Sequence, residues 1–254
     1  MLKLTYEKTT HFIILVRVWL VIKFKKLFSY FFINIHGYTK YVILCEGRTG
    51  STLLHTYLNS HINVQSYGDI LNRIPVNSNT LKENIFHPHP KNIMAVGFKL
   101  FYGYHDNPSY NAVFDQIVHD EQVKIIHLTR NNSLRMFASL KIAQKTGEWT
   151  KSWNSTPLKA KQVSLNMDET IEFINQYGQR KNLFNKLFEN HHLLNVSFEE
   201  LVYNSQDSLN TIQKFLSLPH KRLISAIKKQ NPEPLSELIS NFDKIKNQLP
   251  KEMI

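Results

Sequence analysis

Short, uninterrupted apolar runs alternate along the chain with longer stretches in which apolar residues recur at helical spacing. The runs have the length and side chains of buried strands, and they lie at residues 41–45, 93–102, 123–128 and 193–198, with a shorter extended piece at 64–68. Helices are predicted at residues 51–59, 108–119, 132–144, 167–190 and 208–218. Strands that alternate with helices are typical of an α/β domain with a central, mostly parallel sheet flanked by helices.

The first apolar run leads into a turn that is suited to an anion. Residues 46–50 read Glu-Gly-Arg-Thr-Gly, and two hydroxyl residues then open the helix at residues 51–59. The N–H groups in a helix's first turn have no partner within the helix and carry the positive end of its dipole, so they bind phosphate well. Arg48 adds a fixed charge with a planar fork of donors. The residues of this predicted phosphate site are Arg48, Thr49, Gly50, Ser51 and Thr52.

This turn differs from the phosphate loop of nucleotide-hydrolysing enzymes. The Walker A pattern is G-x-x-x-x-G-K-[ST], whereas Gly47 and Gly50 are only three positions apart and no lysine precedes Ser51. The run at residues 123–128 is followed by Thr129-Arg130, where such an enzyme places an aspartate for Mg²⁺. A P-loop-type kinase or NTPase is therefore an alternative, as is a non-catalytic nucleotide- or membrane-binding module.

A second candidate phosphate site lies at residues 123–140. There a predicted strand ends at Arg130, and the helix that follows carries Ser139. Together with the loop at residues 46–52, this pair resembles the sulfotransferases that use 3′-phosphoadenosine 5′-phosphosulfate (PAPS). The resemblance is greatest to their bacterial carbohydrate branch, the Nod-factor and trehalose sulfotransferases, and covers roughly residues 41–249. The chain departs from cytosolic sulfotransferases, which have a lysine at the position of Arg48 and a C-terminal Arg-Lys-Gly loop that has no match here.

The resemblance implies a P-loop-like three-layer fold and a sulfotransferase that uses PAPS as co-substrate. The sulfuryl group of PAPS is expected to pass by direct in-line transfer to a hydroxyl of a carbohydrate or glycolipid. The loop would hold the 5′-phosphosulfate, with Arg48 on the departing 5′-phosphate, while Arg130 and Ser139 would bind the 3′-phosphate. Acceptor sites in this family lie at a loop that corresponds here to residues 147–157, with Trp149 and Trp153.

A general base is expected shortly after the first helix, because the acceptor hydroxyl must lose its proton. Such a base is worth about 10²- to 10⁴-fold in rate. In the carbohydrate sulfotransferases a glutamate in a similar G-E context looks like the base, and Asp69 stands at that position here. The alternatives are Asp69 as a helix N-cap and His55 or His61 as the base. Lys99, near the end of a predicted strand, either contacts the sulfuryl group or acceptor or is a solvated lysine.

Residues 1–37 stand apart from the domain at residues 38–254. Arg17, Lys23, Lys25 and Lys26 interrupt the apolar run at residues 12–32, so no piece approaches the ~20 apolar residues that span a bilayer. The pattern predicts a basic amphipathic helix. This helix either lies on an anionic membrane surface or packs on the domain with its cations in water, and a weakly anchored transmembrane helix is a third alternative. No signal-peptide cleavage site follows, so a cytoplasmic protein is expected, peripheral to the membrane in the first case.

Composition narrows the chemistry further. The formal net charge of +11 favours anionic partners, but no nucleic-acid-binding pattern accompanies it. The single cysteine, Cys45, lies inside the first predicted strand, so a buried structural thiol and a reducing compartment are expected. Histidines, cysteines and carboxylates have no zinc-ligand spacing, and no metal is predicted.

Overall fold

The structure is a computed structural model, and it describes residues 13–14, 16–21, 23–24, 37–150, 161–225, 227 and 230–250. Between residues 13 and 24 the described residues are helical, in agreement with the predicted N-terminal helix. Whether this helix meets a membrane stays a prediction. Among the described residues, we find no helix with both the length and the apolar character needed to cross a bilayer.

Five strands form one central sheet in which every pairing is parallel. They are β1 (Thr39–Cys45), β2 (Val64–Ser66), β3 (Ala95–Phe101), β4 (Lys124–Thr129) and β5 (Leu193–Ser197). Their order is β2-β3-β1-β4-β5, so β1 occupies the centre. The predicted α/β class with a parallel sheet is confirmed.

Helices and short helical turns connect the strands. The helices are α1 (Ser51–Asn59), α2 (Tyr102–His105), α3 (Asn111–His119), α4 (Ser133–Thr146), α5 (Met167–Leu187), α6 (Phe198–Tyr203), α7 (Ser205–Phe215), α8 (Leu235–Leu238) and α9 (Phe242–Lys246). Single turns of 3₁₀ helix occur at Ile70–Asn72 and Pro108–Tyr110, and a π-helical turn at Leu81–Ile85. Side-chain caps fix three of the α-helix starts: Asn132 accepts the N–H of Arg135 in α4, Asn166 accepts the N–H of Glu169 in α5, and Ser197 forms a capping box with Glu200 in α6.

The alternation of β1 divides the core into two layers, because successive strand residues face opposite sides of a sheet. Val42 and Leu44 belong to a cluster that includes residues of α3 and α5. Tyr41, Ile43 and Cys45 belong to a second cluster, with residues of α1, α6 and α7. Helices therefore cover both faces of the sheet, which gives the three layers expected from the sequence.

The ends of β1, β3 and β4 determine where the candidate site lies. The register pairs Cys45 of β1 with Phe101 of β3 and with Leu128 of β4. The loop after β1, the end of β3 and Arg130 after β4 consequently meet at the carboxyl edge of the sheet. That edge is where open parallel sheets bind ligands.

The thiol of Cys45 is expected to be unreactive in the native chain. It is fully buried, and burial raises its pKa to about 12. At pH 8 a far smaller fraction of this thiol would be ionised than of an ordinary cysteine, of which roughly a quarter is ionised. Iodoacetamide should therefore alkylate the native chain at least ~100-fold more slowly than the urea-unfolded chain, as followed by intact mass. Equal rates in the two states would contradict the buried position of this residue.

Candidate active site

One cavity of about 300 Å³ brings together both predicted phosphate-binding stretches. The predicted residues that line it are Arg48, Gly50, Ser51, Thr52, Arg130 and Ser139. Thr49 is the exception: it is fully buried, and its hydroxyl donates to the carbonyl oxygen of Glu46 at 2.8 Å. The side chain of Thr49 therefore holds the loop in shape, and only its backbone could serve a ligand.

The loop presents the open end of α1 to this cavity. Gly50 precedes the helix in the left-handed conformation, with φ 89°, and no side chain caps the first turn. Ser51 and Thr52 supply the first helical N–H groups, and these have no acceptor within the part of the chain that the structure describes. Uncapped N–H groups at the positive end of a helix dipole favour an anion.

Arg130 directly follows the carboxyl end of β4, and its side chain is buried. Nη1 donates to the carbonyl oxygen of Arg48 at 2.9 Å, and the guanidinium carbon lies 4.4 Å from the ring centre of Phe198. Nε is buried and has no hydrogen-bond partner among the described residues. Burial lowers the pKa of Arg130 to about 10, with Arg135 and Arg48 acting in the same direction and Glu199 opposing. A buried donor without a partner is costly, and an anion in the cavity would supply the missing acceptor.

The side chain of Arg48 crosses the cavity towards α4. Nε donates to Oγ of Ser139 at 3.0 Å and Nη1 to the carbonyl oxygen of Trp149 at 2.6 Å, while Nη2 donates to the side-chain oxygen of Gln230. The sequence assigned Arg48 and Ser139 to opposite ends of a nucleotide. The structure adds a direct contact between them, because α4 packs beside the loop.

Arg135 completes a group of three arginines on the cavity wall. Its Nη1 donates to the carbonyl oxygens of Asn231 and Glu233, at 3.1 and 3.0 Å. Within the described ranges, none of the three arginines forms an ion pair. The nearby carboxylate of Glu199 instead accepts the N–H of Asn131 at 3.0 Å. The cavity thus concentrates positive charge that neutral acceptors leave uncompensated.

Apolar side chains also line this cavity. Its lining residues include Leu53, Tyr57, Leu201, Val202 and Ile227. A cavity lined by both arginines and apolar side chains suits a ligand that joins phosphate groups to an aromatic ring system.

Lys99 links the cavity to the predicted base. It is only 5% exposed, so the prediction of a solvated lysine is wrong. Its Nζ donates to Oγ1 of Thr52 at 3.3 Å, and its backbone N–H donates to the carbonyl oxygen of Gly68 at 2.8 Å, which sets Asp69 beside it. Burial lowers the pKa of Lys99, an effect that Cys45 and Asp69 oppose.

Asp69 makes side-chain contacts rather than a helix cap. It precedes the 3₁₀ turn at Ile70–Asn72 but makes no capping hydrogen bond to it. Oδ1 accepts the hydroxyl of Tyr104 at 2.8 Å, and Nδ2 of Asn72 lies 3.0 Å from each carboxylate oxygen. The N-cap interpretation therefore lacks the hydrogen bond that defines it.

The two alternative bases differ from Asp69 in their surroundings. His61 is buried, with Nε2 against the carbonyl oxygen of Pro219 at 2.9 Å and Nδ1 accepting the N–H of Asn63 at 3.0 Å. Both of its ring nitrogens are therefore engaged in structural contacts. His55 contacts Oγ of Ser66 through Nδ1 at 2.7 Å, which orients the ring on the β2 side of α1.

Several residues of the site were not predicted from the sequence. Phe198, under the guanidinium of Arg130, directly follows β5 just as Arg130 follows β4, so the strand-end rule that found one could have found the other. Gln230 and Asn231 reach the cavity from the C-terminal segment, and no local pattern marks them. Of the two tryptophans expected at the acceptor loop, Trp149 lines the cavity and is 53% exposed, whereas Trp153 lies outside the described residues.

Comparison with known proteins identifies relatives along most of the chain. Nodulation protein H of Rhizobium tropici is 27% identical over 221 residues, which cover 80% of this chain and 86% of that protein. Nodulation protein H of Rhizobium meliloti (strain 1021) is 23% identical over 223 residues, covering 81% and 89%. Among solved structures, a sulfotransferase from Alicyclobacillus acidocaldarius has a TM-score of 0.46 at 12% identity, over 85% of this chain and 96% of that one. No protein-family model matches the chain. The family resemblance drawn from residues 41–54 and 123–140 is confirmed.

Replacing Gly50 by alanine tests the conformation of the loop. A Cβ at this position would collide with the ring of Phe198, and the backbone φ of 89° disfavours any side chain. Gly50→Ala should therefore lower the free energy of unfolding by about 2–4 kcal/mol, measured by urea denaturation. Gly47→Ala is the matched control, since no atom lies within 4 Å of its added Cβ, and it should change stability by less than ~0.5 kcal/mol. Similar losses in both variants would contradict the loop geometry.

Proposed function

We propose that this chain is a sulfotransferase that transfers the sulfuryl group of PAPS to a hydroxyl of a carbohydrate or glycolipid. One observation carries the proposal: three arginines without carboxylate partners among the described residues share a cavity with the uncapped end of α1. A ligand with two separate phosphate groups and an aromatic base matches this combination of charge and apolar surface.

The arginine-rich wall would hold the nucleotide by its phosphates. Arg130 and Ser139 are assigned to the 3′-phosphate, because a bound phosphate would supply the acceptor that Nε of Arg130 lacks among the described residues. The adenine would lie against the apolar side chains, near Tyr57 and Leu201. The first N–H groups of α1, with the hydroxyls of Ser51 and Thr52, would face the 5′-phosphosulfate.

Arg48 has a more demanding role in this proposal. It is assigned to the departing 5′-phosphate, on which negative charge develops as the bond to sulfur breaks. In the structure its donors are occupied by Ser139, Trp149 and Gln230, all neutral acceptors. Phosphate oxygens are stronger acceptors than these groups, so Arg48 would exchange at least one of these partners when the nucleotide binds.

The proposed reaction takes place between the end of α1 and Asp69. The acceptor oxygen forms a bond to sulfur, the bond from sulfur to the 5′-phosphate oxygen breaks, and adenosine 3′,5′-bisphosphate (PAP) departs. The proton of the acceptor hydroxyl passes to Asp69. Lys99 adds a buried cation at the Thr52 side of this region, where it would stabilise charge on the transferred group.

The proposal of a sugar acceptor rests on the relatives and on the polar character of the Asp69 region. Asn72 and Arg73 are exposed beside Asp69, and Tyr110 is partly exposed. Amide, guanidinium and tyrosine groups are suited to the hydroxyls and apolar faces of a sugar.

A transfer assay tests the proposed function and its base together. With ³⁵S-labelled PAPS and a panel of trehalose, a lipo-oligosaccharide, a lipopolysaccharide and a glycolipid, the wild-type chain should label at least one acceptor. Asp69→Asn should lower kcat by about 10²- to 10⁴-fold while PAP affinity stays within about twofold.

The matched control is Asp115→Asn, which makes the same change at an exposed position of α3 and should keep wild-type turnover. Near-normal turnover by Asp69→Asn would remove Asp69 from the role of base. Absence of transfer by the wild-type chain to every member of the panel would contradict the proposed acceptor class.

A further inference from the structure

The two carboxylate oxygens of Asp69 are held unequally. Oδ1 accepts hydrogen bonds from the hydroxyl of Tyr104, at 2.8 Å, and from Nδ2 of Asn72, at 3.0 Å. Oδ2 is contacted only by Nδ2 of Asn72, at 3.0 Å, among the described residues. A carboxylate has about four acceptor positions, two on each oxygen, so Oδ2 retains more capacity than Oδ1.

We propose that Tyr104 and Asn72 are positioning residues that direct Oδ2 of Asp69 to the acceptor hydroxyl. This inference rests on the proposed function. As the acceptor oxygen bonds to sulfur and the sulfur–phosphate oxygen bond breaks, the acceptor's proton moves to Oδ2. The electron pair of the broken bond leaves with PAP. Oδ1 keeps its hydrogen bond from Tyr104 throughout, so the carboxyl group does not rotate.

The packing around Tyr104 holds its hydroxyl donor in a fixed position. It is only 7% exposed; its ring stacks on Tyr110 with 4.3 Å between centroids and an interplanar angle of 23°, and its edge meets Phe101 at 5.5 Å. Burial, followed by the hydrogen bond to Asp69, raises the pKa of Tyr104 well above its usual range. The phenol is consequently a donor at every pH at which an assay would be run.

Asn72 is the second donor to the carboxylate of Asp69. It lies three positions after Asp69, at the end of the same 3₁₀ turn, so the two side chains meet on one side of that turn. Its Nδ2 faces both oxygens of Asp69, and its Oδ1 lies 3.5 Å from the hydroxyl of Tyr110. The amide therefore has one orientation that satisfies both ends, and Tyr110 supports each of the two residues that hold Asp69.

Lys99 connects Asp69 and its two positioning residues to the cavity. The N–H of Lys99 holds the carbonyl of Gly68, directly before Asp69, and Nζ of Lys99 reaches Thr52 on the cavity wall. Lys99 also lies 5.3 Å from the ring centre of Phe101, the ring that Tyr104 packs against. The base, its two positioning residues and the cavity are thus connected through one strand end. A displacement of the carboxylate of about 1 Å can cost ~10²-fold in rate.

A double-mutant cycle tests the inference. Tyr104→Phe keeps the ring and removes only the donor, and it should lower kcat by roughly 10- to 100-fold with PAP affinity within about twofold of wild type. In the Asp69→Asn background the same change should alter kcat by less than about twofold, because the group that Tyr104 positions is no longer a base. A merely structural role would lower kcat by the same factor in both backgrounds, and that result would overturn the proposal.

Two further variants keep the test interpretable. Asn72 is exposed, so Asn72→Ala tests the second positioning residue with little risk to folding and should lower kcat by about 10-fold. Tyr38→Phe is the matched control, since it also removes one hydroxyl donor, here to the carbonyl oxygen of His87 at 3.0 Å, and it should leave kcat unchanged.

The outcomes separate the inference from the proposed function. Wild-type kcat in both Tyr104→Phe and Asn72→Ala, with the loss in Asp69→Asn intact, would refute the positioning role and leave the proposed function standing. Wild-type kcat in Asp69→Asn would overturn both the base and its positioning residues.

Discussion

The structure depends on the burial of arginine guanidinium groups without carboxylate partners among the described residues. Arg130 keeps an unpartnered Nε in the interior, and Arg48 and Arg135 donate only to neutral oxygens. Burial of a cation that lacks a counter-charge is unfavourable, so the fold has to stabilise this arrangement elsewhere. It does so through two apolar layers on either side of a sheet whose central strand is fully buried from Tyr41 onwards. In the proposed function, the negative charges of the bound nucleotide would offset this electrostatic cost.

The parallel sheet determines which charged and polar residues of the candidate site lie close together. Because β1, β3 and β4 all end at one edge, the loop at residues 46–50, Lys99 and Arg130 converge without any long connection. The uncapped start of α1 lies between two environments: an arginine-rich cavity on one side, and a region with Lys99 and Asp69 on the other. In the proposed function, this helix end would hold the reactive group of the donor, while different residues would bind the rest of the donor and activate the acceptor. Such separation of roles suits a direct transfer between two bound substrates.

Local sequence patterns predicted the strands, the longer helices and the turn between β1 and α1, because these depend on neighbouring residues. Arg130 and Ser139 were assigned to the site through the family resemblance, which rests on a strand end and the helix that follows it. The exposure of Lys99 was not predictable from its own position, since its burial follows from the packing of α1 and β2 against β3. The contact between Arg48 and Ser139 depends on where α4 packs, and the participation of Gln230 depends on the path of the C-terminal segment. Tertiary contacts of this kind cannot be predicted from the periodicity of hydrophobic residues in the sequence.

The most direct test of the account is a calorimetric titration of the chain with PAP, in parallel with ADP. The uncompensated arginines predict that PAP binds at least ~10-fold more tightly than ADP. They also predict that Arg130→Ala weakens PAP binding by about 2–4 kcal/mol, or roughly 30- to 1000-fold, with little effect on ADP. Arg222→Ala, the same change at an exposed arginine, should leave the PAP affinity within about twofold of wild type. Equal affinity for PAP in the wild-type and Arg130→Ala chains would contradict the central claim.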